Sequence, residues 1–94
     1  MLALAATAQA RLALRALRDS NPELFATISD RLTGRRREPG GRLQGRPFRL
    51  DDGRTARLAT YYDTVAGCEL VLVWAVEESG GQGTLKVFAL EPTD

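Results

Sequence analysis

The chain predicts an α+β fold, a helical hairpin packed on a mainly antiparallel sheet of four to five strands. Three observations carry this expectation. Two amphipathic helical stripes occupy the first third, separated by Ser20-Asn21-Pro22. Glu69 to Val76 reads ELVLVWAV, apolar on both faces, as a central strand requires. The segments beside it alternate with a period of two and are joined by short turns rich in Gly and Asp. With 94 residues, 44% hydrophobic and 27% charged, a single domain over residues 1–94 is expected.

Residues 2–5 either form a short strand or lead into the first helix. Thr7 is placed to cap that helix, which runs to about Asp19. Ala6, Ala10, Ala13, Leu14 and Leu17 share one face, and Arg11, Arg15 and Arg18 another. Asn21 can cap a second helix with Pro22 at its first position, where a missing N–H costs nothing. Its stripe is Leu24, Phe25, Ile28 and Leu32, and Gly34 is a suitable terminator. Residues 35–47 read as a solvated Gly/Pro/Arg connector, better suited to a functional loop than to an interdomain linker.

Phe48-Arg49-Leu50 is then a short strand, and Asp51-Asp52-Gly53 a turn in which Gly supplies positive φ. Thr55 to Tyr62 is a strand with Arg57, Ala59 and Tyr61 on one face and Ala56, Leu58 and Thr60 on the other. Asp63 to Gly67 turns into the central strand. A loop over residues 79–83 leads to a last alternating strand, Thr84 to Leu90.

Net charge is +1, but its distribution is uneven. Residues 1–57 hold twelve arginines against six acids, a net of +6, and residues 58–94 hold one lysine against six acids, a net of −5. The basic half suits a polyanion or an acidic partner, or the two halves are solvated faces that offset each other. Arginine grips phosphate with a planar two-point fork that lysine lacks. Cys68 is the only cysteine and there is no histidine, so an intrachain disulfide is excluded, and zinc chemistry and a Cys–His nucleophile lack their usual groups. A structural thiol in a reducing cytoplasm is the expectation, with no metal and no cofactor. No stretch approaches the ~20 apolar residues that cross a bilayer, and MLALAATAQA lacks the positive n-region of a signal peptide.

Several short motifs together resemble the RelE/ParE superfamily of bacterial toxins from type II toxin–antitoxin pairs. They are Leu43-Gln44-Gly45 after the helical hairpin, the strand Phe48-Arg49-Leu50, Arg57-Leu58 before a Tyr-containing strand, and the apolar run Leu70 to Val76. The resemblance spans about residues 6–78 and rests on short motifs in the right order. It implies a helical hairpin on a sheet, a cytoplasmic toxin and a cognate antitoxin that wraps it. The activity implied is that of a ribosome-dependent mRNA endoribonuclease or, in the ParE-like branch, of a gyrase poison without RNA chemistry.

By the same resemblance Arg57 matches the strand arginine that contacts the scissile phosphate, and Arg49 a basic position on the preceding strand. Two positions depart from the pattern. The family's basic residue after the central strand falls near Glu77-Glu78-Ser79, and its C-terminal catalytic Tyr or His is absent, Phe88 being the only aromatic past Trp74.

Metal-free RNA cleavage needs cations on the pentavalent phosphate and a base for the 2′-OH. The expected catalytic set is Arg57, Arg49 and Tyr61. Arg42, Arg46, Arg54 and Arg35-Arg36-Arg37 are expected to bind RNA phosphate. Without histidine the base would come from Asp51, Asp52, Glu77, Glu78 or Tyr61. Each has a plainer reading as turn chemistry, strand-end solvation or strand packing. Three functions stay open: a nuclease toxin, a gyrase-directed toxin, and a non-catalytic module binding a nucleic acid or protein. An acidic, partly disordered antitoxin segment is the partner expected to cover the edge strands and the basic groove.

Overall fold

A computed structural model describes residues 3–37, 46–79 and 82–93. The elements follow in the order β1 (Ala3–Ala6), α1 (Ala8–Ser20), α2 (Pro22–Arg37), β2 (Arg46–Arg49), β3 (Thr55–Asp63), β4 (Cys68–Ser79) and β5 (Gln82–Pro92). The five strands form one mixed sheet in the order β1-β5-β4-β3-β2. β2 to β5 pair as antiparallel neighbours, and β1 joins β5 in parallel, Ala3 beside Thr84 through Ala6 beside Val87. The fold is therefore α+β, with a parallel edge added to an antiparallel meander. Among the described residues no helix is long and apolar enough to cross a membrane.

Both helix starts follow the capping residues. The Thr7 hydroxyl oxygen accepts from the Ala10 N–H at 3.1 Å, and Asn21 Oδ1 accepts from the Leu24 N–H at 3.3 Å. α2 passes through Gly34, which sequence reading takes as its terminator, and ends at Arg37. A helical glycine costs only ~1 kcal/mol. The three arginines that follow are good helix formers whose positive charge suits the C-terminal end of the helix dipole. The connector expected at residues 35–47 thus contributes its first three residues to α2 and its last two to β2, and residues 38–45 lie outside the described residues. β2 also starts two residues earlier than expected, and Leu50 belongs to the turn, where its N–H donates to the Arg54 carbonyl at 2.8 Å. Pro47 is tolerated because β2 is an edge strand.

The double-sided apolar character of β4 has a direct cause. Leu70, Leu72 and Trp74 point toward the helices and pack with Ala10, Leu17, Ile28, Leu32, Leu85, Val87 and Leu90. Val73 and Ala75 point the other way, into a smaller cluster with Ala56, edged by Leu50, Leu58, Val71, Phe88 and Ala89. Ile28, Leu72, Trp74, Leu85 and Val87 are fully buried, and complete burial of such side chains contributes ~1.5–3 kcal/mol each. Ala59 and Tyr61 flank the helix-side cluster and Leu58 the opposite one, so the alternation read from β3 holds.

The pairing of β4 with β5 shifts register between Val73 and Trp74, leaving Phe88 as the extra residue of a bulge. Phe88 and Ala89 both face away from the helices as a result. The Thr7 N–H donates to the Val87 carbonyl at 3.0 Å, and the Thr7 hydroxyl donates to the Phe88 carbonyl at 3.0 Å. The same hydroxyl that caps α1 thereby fastens that helix to the bulge.

Candidate phosphate-binding face

Strand register decides which arginines can act together. Across β2 and β3, Arg49 lies opposite Thr55 and Pro47 opposite Arg57. Directly opposed residues share a face, so Arg49 and Arg57 form a diagonal pair on one face, roughly 7–8 Å apart at the backbone. Arg57 in turn lies opposite Trp74 of β4, which fixes the shared face as the helix-bearing side. Arg49 is exposed and Arg57 half-buried. Two guanidinium groups on such a diagonal can meet one phosphate from two directions.

Arg46 and Arg54 belong to the opposite side. Arg46 lies across from Leu58, whose side chain joins the cluster on the face without helices. Arg54 donates from Nε to Asp52 Oδ2 at 2.7 Å and from a terminal nitrogen to Glu77 Oε1, and its guanidinium carbon sits 5.2 Å from the Phe88 ring centroid. Lys86 Nζ approaches the same ring at 5.2 Å. The hydrogen bonds that Arg54 donates to Asp52 and Glu77 raise its pKa further. The Arg54 backbone N–H, against desolvation and with help from the Arg54 side chain, holds the Asp52 carboxyl below its ordinary value. The charge of Arg54 is thus answered within the protein.

Arg35, Arg36 and Arg37 form the last turn of α2, and Arg42 lies outside the described residues. The phosphate-binding set expected from sequence is therefore divided. The sheet brings Arg49 and Arg57 together and sets Arg46 and Arg54 apart from them.

The candidates for a base are placed as follows. Asp52 and Glu77 are bound to Arg54 on the far face. Asp51 is exposed in the turn. The Tyr61 hydroxyl is buried beside the helix-side core and has no hydrogen-bond partner among the described residues, so in this arrangement it is walled off from substrate. Tyr62 is 58% exposed, but it lies on the opposite face of β3 from Arg57 and is set apart from the arginine pair. Among the described residues no cluster of His, Cys, Asp or Glu is placed to hold a metal ion.

Two features were not anticipated from the sequence. The first is a groove of about 240 Å³ floored by Leu4, Leu14, Phe25 and Leu32 and rimmed by Arg11, Arg15 and Arg18. The spacing of the three arginines is visible in sequence, but the apolar floor needs β1 and α2 beside α1. The second is a buried polar pair, in which Asn21 Nδ2 donates to Asp63 Oδ1 at 2.9 Å between the start of α2 and the end of β3. The Val65 and Ala66 N–H groups donate to the same oxygen at 3.0 and 3.1 Å. The Asn21 bond and then the Ala66 bond lower the Asp63 pKa, outweighing desolvation.

Compared with known proteins, the chain matches no family model, no curated protein and no solved structure.

Proposed function

We propose that this protein is the toxin of a bacterial toxin–antitoxin pair of the RelE/ParE kind, acting in the cytoplasm as a ribosome-dependent mRNA endoribonuclease. The observation that carries the reading is the diagonal pair Arg49 and Arg57 on one face of β2 and β3. The order of elements, one strand, a helical hairpin and a four-stranded meander, supports the family resemblance independently of any single motif. In cleavage, the two guanidinium groups would hold the non-bridging oxygens and stabilise the charge that builds as the 2′-OH attacks phosphorus.

The partner is an acidic antitoxin segment. The groove rimmed by Arg11, Arg15 and Arg18 and the outer edges of β1 and β2, unpaired among the described residues, are the surfaces it would cover.

One observation favours a second reading. Asp52 and Glu77 are held by Arg54 away from Arg57, and the Tyr61 hydroxyl is buried, so these three base candidates do not serve the arginine pair in this arrangement. A ParE-like toxin or a nucleic-acid-binding module would use the same arginine pair without RNA chemistry. Induced expression in bacteria separates these readings. The nuclease predicts growth arrest with new mRNA 5′ ends on primer extension, both abolished by Arg57→Ala in a variant with unchanged circular dichroism. Arrest with intact mRNA and induced DNA-damage signalling would select the gyrase-directed toxin. Harmless expression would leave only the binding module.

A further inference from the structure

The geometry points to a second binding site, at the far end of β3 from Arg57, that takes a primary ammonium on a short apolar stem. The site is a trough of about 210 Å³ walled by Ala13, Ala16 and Leu17 of α1 and by Leu70 and Leu90 of the sheet, with Asp63 and Ser20 at its polar end. That volume is many times the ~10–15 Å³ that admits one water.

Asp63 is only 5% exposed, and its two oxygens are used very unequally. Oδ1 takes all three donors, from Asn21, Val65 and Ala66, whereas Oδ2 receives none among the described residues. Oδ2 is not sealed among the buried atoms that lack a partner, so it stays open to the trough, and a cation seated there gives it a charge-assisted bond. The C-terminal end of α1 adds to the negative potential, its Leu17 carbonyl turned toward Asn21 N–H and the Ser20 hydroxyl.

The asymmetry also selects the cation. A guanidinium needs two acceptors side by side, and Oδ1 is already filled, so the fork cannot form. An ammonium needs only point contacts. It would donate to Asp63 Oδ2 and to the Ser20 hydroxyl, while a four-carbon stem lies along Ala13, Ala16 and Leu17. Lysine side chains of a partner protein and free alkyl amines share this chemistry. The site is independent of Arg49 and Arg57 and stands whatever their target.

The test is titration of the nitrogen-15-labelled full chain, reading the Val65 and Ala66 amides, which report on Asp63 directly. n-Butylammonium should shift them saturably with Kd of the order of millimolar. n-Butylguanidinium and n-pentanol should bind about tenfold more weakly, as loss of one charge-assisted bond implies. Asp63→Asn retains an acceptor for the three N–H groups but turns the second oxygen into a donor, and should abolish the shift. Ala16→Leu, which fills the trough without touching Asp63, should abolish it too. Tighter binding of N-acetyl-lysine-N-methylamide than of 1,4-diaminobutane would assign the site to a partner's lysine, and the reverse order to a free amine. Equal shifts from n-pentanol, failure of n-butylammonium to saturate, or undiminished binding by Asp63→Asn in a folded variant would overturn the proposal.

Discussion

The two aspartate turns flanking β3 use the same local chemistry in opposite surroundings. Each contains a glycine at positive φ, Gly53 at 90° and Gly67 at 72°. In each an aspartate Oδ1 accepts from a backbone N–H two residues on, Arg54 for Asp52 and Val65 for Asp63. Beyond that they diverge. Asp52 is exposed and spends its second oxygen on the Arg54 cation, whereas Asp63 is buried and takes a neutral amide, Asn21, from 42 residues earlier in the chain. A surface ion pair in water contributes little, because solvent screens it and two long side chains must be held still. A buried carboxylate bonded by three N–H groups joins the helical hairpin to the sheet, and its loss strands Asn21 and two backbone donors. The visible ion pair is the weaker device.

The sharpest test of that contrast is Asp63→Ala against Asp52→Ala. Asp63→Ala should produce the largest drop in Tm and loosen the start of α2 by hydrogen exchange, while Asp52→Ala leaves both nearly unchanged. Acid carries the same distinction. The Asp63 pKa is lowered by folding, so its contribution is complete above the unfolded value of about 3.9 and is lost as pH falls through the lower folded value. Melting curves from pH 6 down to pH 3 should show this loss in the native protein and not in Asp63→Asn. An unchanged acid limb in that variant would break the comparison.

Backbone strain gives a middle-sized effect. A Cβ at either glycine meets nothing within 4 Å, so only φ is at stake. Gly53→Ala should cost ~1–2 kcal/mol by chemical denaturation. Gly67→Ala should cost more, because distortion of that turn also misaligns the donors to Asp63, and equal costs would mean the two turns are equivalent. The smallest effect belongs to Glu77→Gln. It should shift Tm only slightly in low salt, and the difference should vanish in about 1 M salt, where the Debye length is ~3 Å.

Much of this arrangement is legible before any coordinates. The helix caps at Thr7 and Asn21-Pro22 and the turn at Gly53 involve neighbours within four residues, and such short-range chemistry can be read from a string. The two-faced burial of β4 follows from composition alone. The limits are equally physical. Gly34 is a weak terminator with no partner to enforce it, so α2 continues. The parallel pairing of β1 depends on β5, some eighty residues away. The arginines look like one basic set, yet their division needs the β2–β3 register, which places Arg49 with Arg57 and sends Arg46 and Arg54 to the other face. Asp63 reads as an ordinary turn residue until Asn21 is found beside it.

The fastening of Thr7 to the carbonyls of Val87 and Phe88 has a consequence for biosynthesis. α1 leaves the ribosome early, but the strand that anchors its first turn emerges about eighty residues later, so closing that clasp is among the last events of folding. Until then the helical hairpin has only part of its apolar bed, because Leu85, Val87 and Leu90 come from that last strand.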